Sequence, residues 1–180
     1  MERQIGKVIA AFREMGLKPK LDNFDSRLVM QKAICLLEMM GVDFGYSFSL
    51  YVRGAYSPQL TEQLYDHQSE LEALKASARL SKEELSKIAE LKAVMTDASP
   101  AVFEIAATYA FLVNAYGMAP ISAMRQVKEM KPFYSETDFA LGFSKAKELI
   151  STVSSEELQK LKKEMEPWNR AADEDGEKWL

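Results

Sequence analysis

Apolar residues recur every three or four positions along most of this chain, which is the period of an amphipathic α-helix. Two segments, 28–40 and 101–116, are instead apolar on nearly every face, and helices of that kind lie inside their domain. The pattern predicts eight or nine short helices, with these two at the centre. The helix predicted over 2–16 carries a clearly one-sided stripe, made of Ile5, Val8, Ile9, Phe12 and Met15.

Short polar side chains followed by proline or glutamate predict where several helices begin. Ser57-Pro58 and Ser99-Pro100 each offer an oxygen to the first free amides and then a proline that lacks an N–H. The segment 81–84 is a capping box, with Glu three residues after Ser. Asp25 or Ser26 is expected to cap the helix that contains 28–40.

The other helix boundaries depend on weaker signals. Helices are predicted over 120–130, from 136 onwards and over 156–164. The helix that begins at Pro58 either ends or kinks near His67, and the pattern leaves both alternatives open.

One segment alternates with a period of two, as a strand does. In 46–53, Tyr46, Phe48, Leu50 and Val52 alternate with the other residues. A single strand is not stable, so this one needs a partner, which is expected to be 42–44 or a distant segment. The predicted fold class is mainly α, a single compact multi-helix domain with one short β-hairpin or wing-like strand element.

The domain is expected to cover residues 1–166, followed by an acidic C-terminal tail over 167–180. From residue 167 the apolar periodicity is lost, and 173–177 is a run of acidic residues around one glycine. A segment of that composition is expected to be flexible and solvated.

Composition narrows the classes of function. The chain of 180 residues has 23 Lys and Arg against 27 Asp and Glu, a net charge of −4, which disfavours a broadly basic nucleic-acid binder. A single cysteine and a single histidine exclude a disulfide framework, a multi-cysteine zinc site and HExxH. The apolar runs are too short for a membrane span, so a cytoplasmic location without membrane contact is expected.

The chain shows no pattern typical of catalysis. The phosphate-binding and nucleophile motifs GxxxxGK[ST], GxGxxG and GxSxG do not occur. His67 lies among polar residues, and Cys35 between Ile34 and Leu36 is expected to be a buried apolar residue. We therefore expect no enzyme, with no catalytic, metal-binding or cofactor-binding residues and no cofactor.

The strand and the turn after it carry residues typical of protein interfaces. Tyr46, Tyr51, Arg53 and Tyr56 lie within one short stretch, and Tyr and Arg are enriched among residues that dominate binding energy. These four are the candidate partner-binding residues. The alternative is that the tyrosines are simply half-buried strand residues.

A small basic cluster supports a second hypothesis. Arg125, Lys128 and Lys131 fall on or next to the helix predicted over 120–130. Helical domains with a β wing often bind DNA through one helix and the wing, so these residues would contact phosphates. Acidic residues such as Glu129 are interleaved with them and weaken the hypothesis.

Two segments resemble motifs of a known family. Residues 27–37, RLVMQKAICLL, are similar to a helix of the form LQKxxYLL, and residues 46–60, YSFSLYVRGAYSPQL, to a strand and turn containing YLYGPYSPxL. Both motifs are features of the YwgA-like family, and they are distantly similar to the Panacea domain of antitoxins. The resemblance covers about 27–65, and the chain departs from it at Ala55 and at Ile34-Cys35.

This resemblance implies a helical, non-enzymatic interaction or regulatory domain. The favoured hypothesis is an antitoxin-like regulatory protein that binds a protein partner. The alternative is a winged-helix-like DNA-binding regulator. Amphipathic stripes can be buried within one chain or across a dimer, so a homo-oligomer stays open.

Overall fold

The computed structural model describes residues 2–150 and, beyond them, only residues 163, 166 and 167. The chain divides into two units, 1–150 and 151–180. The helix predicted over 156–164 and the tail predicted over 167–180 lie outside the described residues, apart from Lys163 and Pro167, which are helical and exposed. The predicted domain limits at 166 and 167 stay predictions.

The described part of the first unit is mainly helical, which confirms the predicted fold class. None of its helices is long and apolar enough to cross a membrane. Its elements are α1 (Glu2–Met15), α2 (Phe24–Met39), β1 (Ser49–Tyr51), β2 (Gly54–Tyr56), α3 (Pro58–Asp66), α4 (Gln68–Glu72), α5 (Lys82–Val94), α6 (Pro100–Asn114), α7 (Pro120–Met130) and α8 (Glu136–Ile150).

The core is built around α6, which packs against α2 on one side and α8 on the other. Every residue of α6 from Val102 to Leu112 is buried. This confirms that the two segments apolar on nearly every face are the central helices. The one-sided helix α1 packs against α5, and its apolar stripe joins the same core.

Most of the predicted helix starts are present. The hydroxyl oxygens of Ser57, Ser81 and Ser99 accept hydrogen bonds from backbone N–H groups in the first turn of α3, α5 and α6. The start predicted for α2 is wrong by two or three residues. Asn23 caps this helix, because its Oδ1 accepts the N–H of Ser26 at 3.0 Å.

Of the two alternatives for the helix that begins at Pro58, an end or a kink near His67, the structure shows an end. The helix α3 ends at Asp66, α4 begins at Gln68, and His67 lies between them with φ −112° and ψ 30°.

Of the strand predicted over 46–53, only Ser49–Tyr51 forms a strand, β1, and its partner is β2, which begins directly after the predicted segment. β1 pairs antiparallel with β2, so that Ser49 faces Tyr56 and Tyr51 faces Gly54. The expected partner, 42–44 or a distant segment, is therefore wrong. Gly54 has φ +81°, a conformation that glycine adopts without steric cost, and this lets the chain reverse directly after β1.

The hairpin is fixed on the central helices. β2 packs against α2 and α6, and its residues Gly54 and Ala55 are buried. A Cβ atom at Gly54 would lie 2.0 Å from Oγ1 of Thr108 on α6, so the backbone approaches this helix as closely as it can. The turn residues Val52 and Arg53 consequently project outward while the strand behind them is held in the core.

Candidate functional site

A pocket of about 200 Å³ opens between α2, the hairpin and α3. Its walls are mainly apolar and aromatic, with a few polar groups, which is the usual character of binding pockets. We call it the hairpin pocket. Its lining residues are Leu21, Phe24, Arg27, Leu28, Gln31, Lys32, Arg53, Tyr56, Thr61, Leu64 and Tyr65.

Lys32 of α2 is the most deeply buried charged residue of the pocket. Its ammonium group donates hydrogen bonds to the carbonyl oxygens of Arg53 and Ala55, both at 2.6 Å. No carboxylate of the described residues forms a salt bridge with it. Burial lowers the pKa of Lys32 to about 8, and the attraction of Glu104 only partly opposes this. Lys32 therefore holds the hairpin to α2 through carbonyl oxygens, with no counter-ion in direct contact among the described residues.

Gln31, the neighbouring residue on α2, fixes the next part of the chain. Its amide nitrogen donates to the carbonyl oxygen of Ser57 at 2.9 Å and to Oγ1 of Thr61 at 2.7 Å. Its amide oxygen accepts the N–H of Ser57 at 3.1 Å. Because all these groups are buried or half-buried, the backbone between the hairpin and α3 is rigidly defined.

A buried carboxylate lies behind the hairpin turn. Glu104 of α6 is fully buried and forms a salt bridge with the equally buried Lys131. The hydroxyl of Tyr134 donates to Oε2 of Glu104 at 2.7 Å, and Nη1 of Arg53 lies 3.5 Å from the same oxygen. Burial lowers the pKa of Lys131, and the bond to Glu104 opposes that shift. One carboxylate thus holds three donors from two parts of the chain, the hairpin turn and the segment after α7.

The position of Lys131 corrects one part of the sequence interpretation. The alternative DNA-binding hypothesis requires Lys131 to contact a phosphate, but its side chain has 0% exposure and its charge is neutralised inside the domain. Lys128 is 42% exposed and pairs with Glu136 at 2.6 Å, while Arg125 is exposed. These three residues therefore do not form one continuous basic face.

Arg53 joins the buried carboxylate to the surface. Its side chain is 51% exposed, and its guanidinium group lies 5.2 Å from the ring centre of Phe24 and 5.8 Å from that of Phe133. Both rings are themselves largely exposed. A guanidinium group that lies near two rings and close to a carboxylate loses less freedom on binding than a fully solvated one.

The tyrosines of the predicted surface have different environments. Tyr51 is exposed and contacts Tyr56 edge to face, with 5.4 Å between the ring centres, and Tyr56 lines the hairpin pocket. Tyr46 is only 5% exposed, and its hydroxyl donates to Oε1 of Gln63 at 2.5 Å. The prediction that Tyr46 is available to a partner is wrong, because this ring is a core residue.

Three exposed aromatic residues of this region were missed by the sequence interpretation. Phe24 begins α2, Tyr65 lies near the end of α3, and Phe133 follows the end of α7. Phe24 and Phe133 occur at helix boundaries, outside the periodic apolar stripes, and that position was the only available signal. Nothing in their spacing indicates that both contact Arg53.

Cys35 is the cysteine that the sequence pattern predicts to be buried. Cys35 is buried as expected, and burial raises the pKa of its thiol to about 12. Within the part of the chain that the structure describes, no group of three His, Cys, Asp or Glu residues could hold a metal ion.

Comparison with protein-family models, with curated proteins and with solved structures finds no match for this chain. The similarity to the YwgA-like family and the Panacea domain therefore stays a prediction.

Proposed function

We propose that this chain is a cytoplasmic, non-enzymatic regulatory protein that binds a protein partner through its hairpin. The contact surface, called the hairpin face here, consists of the exposed turn residues Tyr51, Val52 and Arg53 with the two rings beside Arg53, Phe24 and Phe133. The observation that carries the proposal is the half-exposed guanidinium group of Arg53, which lies 5.2 and 5.8 Å from the centres of two exposed rings.

The composition of the hairpin face is that of an interface centre. Arg and aromatic residues dominate binding energies, and clustered exposed rings are unusual on surfaces that meet only water. Val52 is 89% exposed at the tip of the hairpin, which leaves its apolar side chain available for burial by a partner.

Rigidity supports a binding role for the same residues. Lys32 and Gln31 hold the backbone on either side of β2, and Glu104 holds Arg53 from behind. A surface that is ordered before binding loses less conformational entropy when the partner arrives. In the antitoxin-like role that the resemblance implies, the partner would be a toxin protein.

The test compares capture of partners by the wild-type chain and by variants of the hairpin face and of Tyr56, whose ring contacts Tyr51. We expect Arg53→Ala, and separately Tyr51→Ala combined with Tyr56→Ala, to lose a protein that the wild type captures in stoichiometric amount from a nuclease-treated host lysate. The lost protein is then purified, and its affinity for each variant is measured by calorimetry.

Arg13→Ala is the matched control for Arg53→Ala. The side chain of Arg13 is also 51% exposed, and it too lies near a carboxylate, that of Glu14. It should leave capture unchanged. Folded variants of the hairpin face that bind the partner as tightly as the wild type would refute the proposed surface. A captured species that disappears with nuclease would indicate nucleic-acid binding instead.

A further inference from the structure

The charged residues that line the hairpin pocket are all cationic among the residues that the structure describes. Three of its lining residues are cationic, namely Arg27, Lys32 and Arg53, and none of the described residues that line it is acidic. The whole chain has a net charge of −4, so this local excess runs against the overall balance. Such a pocket has a field that favours an anion.

Two of these cations form no salt bridge with a carboxylate of the described residues. Arg27 donates to the carbonyl oxygen of Leu21 at 2.5 Å and lies 5.8 Å from the ring centre of Phe24. Lys32 uses two of its three ammonium protons on carbonyl oxygens, and no further acceptor among the described residues receives a hydrogen bond from it. Neither residue takes part in a salt bridge in the described part of the chain.

Holding the hairpin does not by itself require a charge at position 32. Gln31, one residue away, makes the equivalent bonds to Ser57 with a neutral amide. An ammonium group costs more free energy to bury than an amide does, and an anion beside it offsets part of that cost.

The remaining lining of the pocket indicates the size and polarity of the molecule that would carry the anionic group. Apart from its polar groups, the lining consists of apolar side chains and the rings of Phe24, Tyr56 and Tyr65. A cavity of about 150 Å³ with apolar walls holds one benzene ring, so 200 Å³ suits a single ring or a short acyl chain with one small polar group. The planar carboxylate group matches the fork of a guanidinium donor.

We propose that the hairpin pocket binds a small organic carboxylate, with its apolar body among the rings and its carboxylate directed to Arg27 and Lys32. This goes beyond the proposed partner-binding role and does not depend on it. The experiment uses the purified full chain alone, so its failure leaves the hairpin face untouched.

The probes are 3-phenylpropionate and hexanoate, each compared with its neutral amide and with the corresponding primary amine. Binding is measured by ligand-observed NMR and calorimetry. We expect saturable binding of the carboxylates with Kd below about 1 mM. The amides should bind at least tenfold more weakly and the amines should show no saturable binding. Backbone amide shifts should change at Thr61 and Leu64, which line the pocket, and not in α7.

Two substitutions separate the contribution of charge from that of folding. Arg27→Gln at the half-exposed rim should weaken the carboxylates about tenfold and leave the amides unchanged, because it removes charge and keeps an amide donor. Arg13→Gln is the matched control. Lys32→Met should abolish carboxylate binding if the variant folds, and Arg27→Gln decides the question if it does not.

Three results would overturn the inference. They are equal affinity for acid and amide, carboxylate binding that Arg27→Gln does not weaken, and the absence of saturable binding by any of the small carboxylates. Binding of acidic peptides without binding of the free acids belongs to the third case, and would assign the pocket to the protein partner.

Discussion

Nη1 of the half-exposed Arg53 lies 3.5 Å from Oε2 of the fully buried Glu104. The same carboxylate pairs with Lys131 and accepts the hydroxyl of Tyr134. One residue of the central helix α6 therefore determines where the surface arginine of the hairpin is held. The hairpin face depends on the core through this contact.

Removing the charge of Glu104 should destabilise the fold strongly. Glu104→Gln leaves the ammonium group of Lys131 buried without its counter-ion, and breaking a buried pair in this way costs about 3–5 kcal/mol. Urea denaturation followed by circular dichroism measures the change. Glu136→Gln, which breaks the exposed pair with Lys128, should change the stability little. A loss from Glu104→Gln as small as that control would show that the buried pair is not structural.

Gly54→Ala should lower the free energy of unfolding more than Gly117→Ala does. Both glycines have positive φ, 81° and 63°, so each substitution strains the backbone by about 1–2 kcal/mol. A methyl group at Gly54 also meets Oγ1 of Thr108 at 2.0 Å, whereas at Gly117 nothing lies within 4 Å. The added overpacking should bring the loss at Gly54 to about 2–4 kcal/mol. Equal losses in thermal denaturation of the two variants would contradict the close approach of the hairpin to α6.

Tyr46→Phe should affect stability and not partner binding. The change removes the hydroxyl that donates to Gln63 and leaves a buried amide oxygen without this donor, at a cost of about 1–3 kcal/mol. Affinity for the partner identified by capture should match that of the wild type. A variant that folds normally but no longer binds the partner would show that Tyr46 belongs to the contact surface.

The fold should become less stable as the pH rises from weakly acidic to neutral, because the buried carboxyl group of Glu38 then loses its proton. Burial raises the pKa of Glu38 to about 7 from its ordinary 4.5, and repulsion by Asp43 adds to the effect, against the hydrogen bond from the N–H of Tyr46. Between these pH values the folded chain retains a proton that the unfolded chain has released. The stabilisation is therefore complete below pH 4.5 and is lost as the pH rises through 7.

The expected loss is about 1–2 kcal/mol, because the group is partly exposed and solvent screens it. Glu38→Gln should flatten the dependence of unfolding free energy on pH across this window, and Glu129→Gln, at an exposed position, should not. An unchanged slope in Glu38→Gln would assign the effect to another group.

Several polar residues of the site could be recognised in the sequence, but their partners could not. Gln31, Lys32 and Glu38 are the polar interruptions of a helix that is otherwise apolar on most faces. Burial of such residues requires hydrogen-bonding partners. Those partners are backbone groups of residues 46–57, which adopt their positions only when the hairpin packs on α2 and α6.

The hairpin shows where periodicity alone misleads. Alternation extends from Tyr46 to Arg53, yet β1 covers only Ser49–Tyr51. Tyr46 lies in the core instead, where its N–H donates to Glu38 and its hydroxyl donates to Gln63. The reversal at Gly54 depends on the room that Thr108 leaves on a helix more than 50 residues away.

Local sequence patterns are enough to predict the helices, most of their caps and the burial of the two central helices, since these depend on side-chain periodicity and on residues at most four positions apart. The composition of the site depends on how the helices pack. Packing buries Tyr46 and Lys131, leaves Phe24 and Phe133 exposed beside Arg53, and brings Arg53 to the pocket that Arg27 and Lys32 of α2 line. The reason is that charge pairing and ring contacts join residues far apart in the chain, and packing of the helices selects which of them meet.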